Sequence, residues 1–128
     1  MRFFYNIITS SIRGIMRVFW NYKIINNDRF DSIEGSIIAP NHIHFLDPPF
    51  IGSAFKREIY TLAKFELFKN SLFGKLLRYL NCITIKRGKI DRTAIKTAQN
   101  ALTNGYSLMI FPEGTRKSTN VKAGIGKI

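Results

Sequence analysis

The chain has 128 residues, 45% hydrophobic and 22% charged, enough for one domain with a real core; this excludes a disordered or low-complexity polypeptide. Twenty Lys and Arg against eight Asp and Glu leave a net charge of +12, so the partner carries phosphate: nucleic acid, an anionic membrane or a phosphorylated small molecule. A single cysteine, Cys82, excludes a disulfide framework and a Cys-based zinc site and fits a reducing compartment.

The first 22 residues read as an amphipathic helix. Phe4, Ile8, Ile12, Ile15 and Phe19 follow helical spacing, with Phe3, Ile7, Met16 and Trp20 beside them and Asn6, Ser10, Arg13 and Arg17 opposite. No acidic residue precedes Asp28, whereas Arg2, Arg13, Arg17 and Lys23 do. Arg13 and Arg17 break the apolar run short of the roughly 20 residues a membrane span needs. They also spoil it as a signal peptide, and no small-residue cleavage site follows. A basic helix carrying Trp and Phe is expected to lie in a membrane interface; the competing reading packs its apolar face on the core.

Residues 23–128 alternate β-type runs with helical patterns. Ser36–Ala39 is a short strand stopped by Pro40. Asp47 followed by Pro48 opens a helix that buries Phe50, Ile51, Ala54 and Phe55. Ile59–Ala63 is a second strand. Ser71 caps a helix with Leu72, Phe73, Leu76, Leu77 and Leu80 on one face. Cys82–Lys86 is β-branched and reads as a strand. Asp91 opens a helix through Ala94, Ile95, Ala98, Ala101 and Leu102, which Gly105 closes, and Ser107–Phe111 is the last strand, stopped by Pro112. The alternation predicts an α/β fold, a mostly parallel sheet flanked by helices, in one domain behind the N-terminal helix.

Chemistry-bearing side chains follow three of these strands. Asn41 and His42 come after the first, Arg87 after the third, and Glu113, Thr115 and Arg116 after the last. In a parallel sheet these segments gather at one edge, where open α/β folds bind ligands. His42 and Asp47 stand five positions apart across a loop entering a helix. An aspartate accepting from one imidazole nitrogen leaves the other free as a base, although Asp47 can equally serve as a helix cap alone. Ser36 and Ser53 lack a nucleophile elbow, so a base without a protein nucleophile points to a hydroxyl on the substrate. Cys82, on a strand without a basic partner, reads as a buried thiol. No metal-ligand cluster is visible.

The run Phe111-Pro112-Glu113-Gly114-Thr115-Arg116 sharpens this reading. Together with Asn41-His42-x₄-Asp47 and Arg87 after its strand, it resembles the 1-acylglycerol-3-phosphate (lysophosphatidic acid) acyltransferase family of glycerophospholipid acyltransferases. Tyr60–Phe68 and Lys122-Ala123-Gly124 are similar too, so the likeness runs from about Ile33 to Gly126. It implies a glycerolphosphate-acyltransferase-like fold and transfer of an acyl group from acyl-CoA or acyl-carrier protein, as substrate rather than cofactor, to the free hydroxyl of 1-acyl-glycerol-3-phosphate. The product is phosphatidic acid. The resemblance makes His42 the general base and Asp47 the residue that orients it, without a covalent acyl-enzyme. Arg87 and Arg116 hold the acceptor's phosphate, Glu113 and Gly114 shape the acceptor pocket, and Asn41 and Thr115 complete the substrate-binding set.

His44 stands where this family often carries serine and reads as structural or pocket-lining; Lys117 replaces another common serine. The family has a fourth block after the third, so this chain is expected to be C-terminally truncated. The expected place of work is the cytoplasmic face of the cell membrane, peripheral or monotopic. The other reading is a catalytically incomplete protein that only binds phospholipid or membrane. Nucleic acid is not the expected partner, because charge without a recognised binding module is its sole support.

Overall fold

Short apolar runs make the strands, and three amphipathic segments with one short apolar segment make the helices of the computed structural model, which describes residues 2–25, 33–41, 46–86, 88 and 90–112. In chain order the elements are α1 (Arg2–Trp20), β1 (Ile37–Ile38), α2 (Asp47–Ala54), β2 (Ile59–Lys64), a 3₁₀ turn (Phe65–Phe68), α3 (Ser71–Tyr79), β3 (Cys82–Ile85), α4 (Arg92–Thr103) and β4 (Ser107–Met109). The four strands form one sheet in the order β1-β4-β2-β3, and every pairing is parallel. The register sets Ile37 opposite Leu108, Thr61 opposite Met109 and Lys64 opposite Ile85.

This order fixes the layers. The chain moves one way across the sheet from β1 to β2 and on to β3, then turns back to β4. Parallel crossovers are right-handed, so α2 and α3 cover one face and α4 the other. On the α4 side, Ile83, Ala94 and Leu108 form a dry core, with Tyr60, Leu62, Ile85, Ala98, Leu102 and Ile110 packed around it. Asp91 starts α4 as expected: its carboxylate accepts from the backbone N–H of Ala94 and of Lys86, each at 3.1 Å. Those bonds hold its carboxyl below the usual carboxylate range. Gly105 ends the turn after α4 at φ +82°, a backbone angle that favours glycine.

The opposite face is closed differently. α1 turns Tyr5, Thr9 and Met16 inward as buried residues. The Tyr5 hydroxyl accepts from the N–H of Ile59 at 3.1 Å, and Thr9 donates back to the Tyr5 carbonyl at 2.9 Å. Arg13 donates from Nε to the Ser53 carbonyl at 2.8 Å and from a terminal nitrogen to the Phe55 carbonyl at 3.1 Å. It thereby satisfies carbonyls at the C-terminal end of α2, which the helix itself leaves open. The sector facing the domain therefore runs through Tyr5, Thr9, Arg13 and Met16, off the centre of the expected stripe. Phe4, Ile15 and Phe19 stay exposed.

Several boundaries differ from the sequence reading. Asn70, not Ser71, caps α3: its backbone is extended (φ −74°, ψ 117°) and its side chain accepts from Phe73 N–H at 3.0 Å. Leu46 precedes α2 without a side-chain cap, and Asp47 is already helical. β1 shortens to two residues, while β2 extends through Lys64. α3 approaches the 3₁₀ turn at Gly74, where an added Cβ would lie 2.8 Å from the Phe68 carbonyl oxygen. That close seat turns Leu72 and Leu76 outward, while Phe73, Leu77 and Leu80, expected on the same face, are half-buried.

Candidate functional site at the C-terminal edge of the sheet

Because the sheet is wholly parallel among the described strands, every strand delivers its C-terminal end to the same edge. β1 and β4 are neighbours there. The rung from Ile110 N–H to the Ile38 carbonyl, 2.9 Å, keeps them paired until Ala39-Pro40-Asn41 and Phe111-Pro112 leave the sheet. The segments leading into the first and third blocks thus start one strand spacing apart, about 5 Å. β3, which leads toward Arg87, lies two strands from β4 and three from β1, or roughly 10 and 14 Å.

Of the residues singled out in the sequence, the structure places Asn41 and Asp47. Asn41 is exposed where the chain leaves β1, and Asp47 is half-buried in the first turn of α2. His42, His44, Arg87, Glu113, Gly114, Thr115, Arg116 and Lys117 lie outside the described residues. What the fold brings together is the strand ends from which those residues follow.

The position of α2 is secured from behind. Besides the Arg13 bonds at its far end, the Tyr22 hydroxyl donates to the Phe50 carbonyl at 3.3 Å, and the Trp20 and Phe50 rings lie 6.5 Å apart. Ser53, fully buried, donates to the Phe50 carbonyl at 2.8 Å. The helix that carries Asp47 is thus fixed by α1 and the segment after it.

Two cations at this edge escaped the sequence reading. Lys64 ends β2, and Lys86 directly follows β3, paired strands whose ends lie side by side. The Lys86 ammonium stands over the Phe65 ring, 5.2 Å from its centroid. After β2 the chain turns to the α3 face and after β3 to the α4 face, a change of side of the kind at which open α/β sheets bind ligands. The available signal was position: like Arg87, each lysine stands where a strand stops. Cys82 sits at the other end of β3. Burial pushes its thiol up to about 12, which leaves it protonated and inert at neutral pH. Among the described residues, no group of three or more His, Cys, Asp and Glu is placed to hold a metal ion.

Comparison with known proteins gives the same direction. The acyltransferase family model matches residues 21–128. The chain is 27% identical over 125 residues to a 1-acyl-sn-glycerol-3-phosphate acyltransferase of Bacillus subtilis, covering 97% of this chain and 63% of that protein. It is 34% identical over 120 residues to the protein of the same name in Streptococcus pneumoniae, covering 92% and 44% respectively. A probable 1-acyl-sn-glycerol-3-phosphate acyltransferase of Mycoplasma genitalium is 32% identical over 116 residues, 85% of this chain and 41% of that one. The chain therefore spans less than two-thirds of these relatives. No solved structure matches it. With the family model covering most of its length and both flanking blocks entering one edge of a parallel sheet, this chain belongs to the acyltransferase family.

Proposed function

We propose that the protein transfers a fatty acyl group from a thioester to the free hydroxyl of 1-acyl-glycerol-3-phosphate at a membrane surface, giving phosphatidic acid. The observation that carries this reading is the adjacency of β1 and β4, from which the Asn41-His42-x₄-Asp47 and Phe111–Arg116 blocks both follow. In the reaction, His42 takes the proton of the acceptor hydroxyl as its oxygen attacks the thioester carbonyl. A C–O bond forms, the C–S bond breaks, and the proton passes on to the departing thiolate, so no acyl-enzyme is needed. Asp47 orients His42, and its helix is held by Arg13 and Tyr22 so that this partner stays fixed.

Arg116 and Arg87 bind the acceptor's phosphate, since a guanidinium fork matches phosphate geometry. Asn41, Glu113, Gly114 and Thr115 line the acceptor pocket. The donor is acyl-CoA or acyl-carrier protein, and the reaction as written needs no metal or cofactor.

The test is thiol release with each donor, with and without 1-acyl-glycerol-3-phosphate. Acceptor-dependent release, with a raised acceptor KM in Arg116→Ala, is the expected result. Release that ignores the acceptor would reject this reading.

The same proposal places the N-terminal helix, residues 1–22, in the headgroup layer on the cytoplasmic side, with residues 23–128 as the acyltransferase domain. Supporting it, Phe3, Ile7 and Val18 project from α1 into solvent, with Val18 78% exposed. Among the described residues no helix is long and apolar enough to cross a membrane. This exposed flank also favours a second reading, a membrane-binding protein without turnover. Replacing Phe3, Ile7 and Val18 by Gln, which leaves the Tyr5 and Arg13 bonds in place, should weaken the binding of either to anionic vesicles, and unchanged sedimentation would reject the membrane role of α1 in both.

A further inference from the structure

α3 carries its own unpartnered stripe. Leu72, Leu76 and Tyr79 are spaced by four and three, so they share one side of the helix. Leu72 is 83% exposed, far more than an apolar side chain at a domain surface requires. The helix does not need this side for folding. It seats on the sheet and the 3₁₀ turn through buried Gly74, with Phe73 and Leu77 half-buried beside it. A shallow groove lined by Asn70, Leu72, Phe73, Lys75, Leu76 and Tyr79 runs along the exposed side.

This stripe is continuous with α1. The Tyr79 ring meets that of Phe4 at 5.0 Å, and Phe3 packs edge-on against Phe4 at 5.7 Å. Two helices more than fifty residues apart in sequence therefore build one apolar surface: Leu72, Leu76 and Tyr79 from α3, Phe3, Phe4 and Ile7 from α1.

Its frame is largely cationic, although Arg2 pairs with Glu58 at 3.9 Å. Neither Arg2–Trp20 nor Lys69–Tyr79 contains an acidic residue, whereas Arg2, Arg17, Lys69, Lys75 and Arg78 stand among these segments. A second copy would set cations against cations, which opposes self-association. An apolar strip with a predominantly cationic rim matches an anionic bilayer, whose headgroups supply the missing charge and whose acyl region takes the leucines.

We infer that α3 is a second membrane-docking element, whose Leu72–Leu76–Tyr79 stripe enters an anionic bilayer together with the exposed flank of α1. The inference rests on the membrane reading of α1 and extends it. Its consequence is orientation: one helix alone permits rotation about its axis, and two non-collinear contacts fix the domain against the surface. Ser71 opens α3 just beyond the C-terminal end of β2, so Leu72 docks beside the edge that carries the candidate site.

The test uses the full chain and vesicles of phosphatidylglycerol with phosphatidylcholine, against phosphatidylcholine alone. Binding is read by co-sedimentation and by the fluorescence of Trp20, the single tryptophan. Leu72→Gln with Leu76→Gln should weaken binding to anionic vesicles roughly tenfold or more, since each exposed leucine gives up its transfer into the bilayer. The thermal midpoint should hold. Phe3→Gln with Ile7→Gln is the companion pair on α1. Loss in the α1 pair with parent-like binding in the α3 pair would overturn the inference and leave the α1 reading standing. Parent-like binding in both pairs would overturn both. A dimer seen by light scattering that the α3 pair abolishes, with vesicle binding unchanged, would also overturn it in favour of a second copy on this face.

Discussion

The two faces of the sheet are closed by different physics. On one, α4 lays Ala94, Ala98 and Leu102 over Ile83 and Leu108, and the contact is apolar. On the other, α1 is fastened by the hydroxyl of Tyr5 and the guanidinium of Arg13, while much of its hydrophobic surface stays outside. The first face is satisfied within the domain. The second turns polar groups inward and leaves apolar groups in solvent, the reverse of the usual arrangement. A helix built only to stabilise the fold would bury Phe4 and Ile15 and expose Arg13. The proposed membrane role of α1 accounts for the inversion.

That comparison can be broken from either side. The largest effect belongs to the α4 face: Leu108→Ala, at a site 2% exposed, should cost about 2–5 kcal/mol, read by urea unfolding. A loss below about 1 kcal/mol would mean that this face is not the main core. Next comes Arg13→Ala, which leaves the Ser53 and Phe55 carbonyls without their charged donor and should cost roughly 1.5–3 kcal/mol. Arg13→Lys should recover only part, because an ammonium cannot reproduce the two-nitrogen reach; full recovery would show that charge alone matters.

Tyr5→Phe is smaller, about 1–3 kcal/mol, because the Ile59 N–H loses its buried acceptor. It carries a pH signature as well. Burial pushes the Tyr5 hydroxyl from 10.0 up to about 12, so its neutral form is favoured in the folded state. That contribution is fully present below pH 10 and is lost as pH rises toward 12. The parent should therefore lose stability more steeply than Tyr5→Phe across that interval. Equal slopes would place the hydroxyl in water.

The smallest stability change is expected on the outer flank of α1. Val18→Gln should stay within about 0.5 kcal/mol while reducing vesicle binding. A larger destabilisation would mean that this side chain packs on the domain.

The unequal faces also explain what could be read ahead of the structure. The α4 unit was legible because Asp91, the alanine-rich apolar stripe and Gly105 all agree on one helix, and the β-branched run after Asn81 and the apolar run after Tyr106 stand out. α1 was legible as a helix but not in its rotation. Its apolar arc is wider than one interface, and periodicity alone does not say which sector meets the domain. Asn70 and Ser71 are both capping types, and only the extended backbone at Asn70 decides between them. That Leu72 and Leu76 part from Phe73, Leu77 and Leu80 and face outward follows from the close seat of Gly74, which is tertiary information. The candidate site was legible as three strand-following segments. Which segments lie side by side depends on the order β1-β4-β2-β3, which no local pattern encodes.

The most direct test of the account compares the parent chain with His42→Ala on anionic vesicles, measuring acceptor-dependent thiol release and vesicle binding in the same samples. The account predicts that turnover disappears while binding is unchanged, because it gives His42 a role in proton transfer and none in docking. Undiminished turnover in His42→Ala would contradict the assignment of the base and the mechanism built on it.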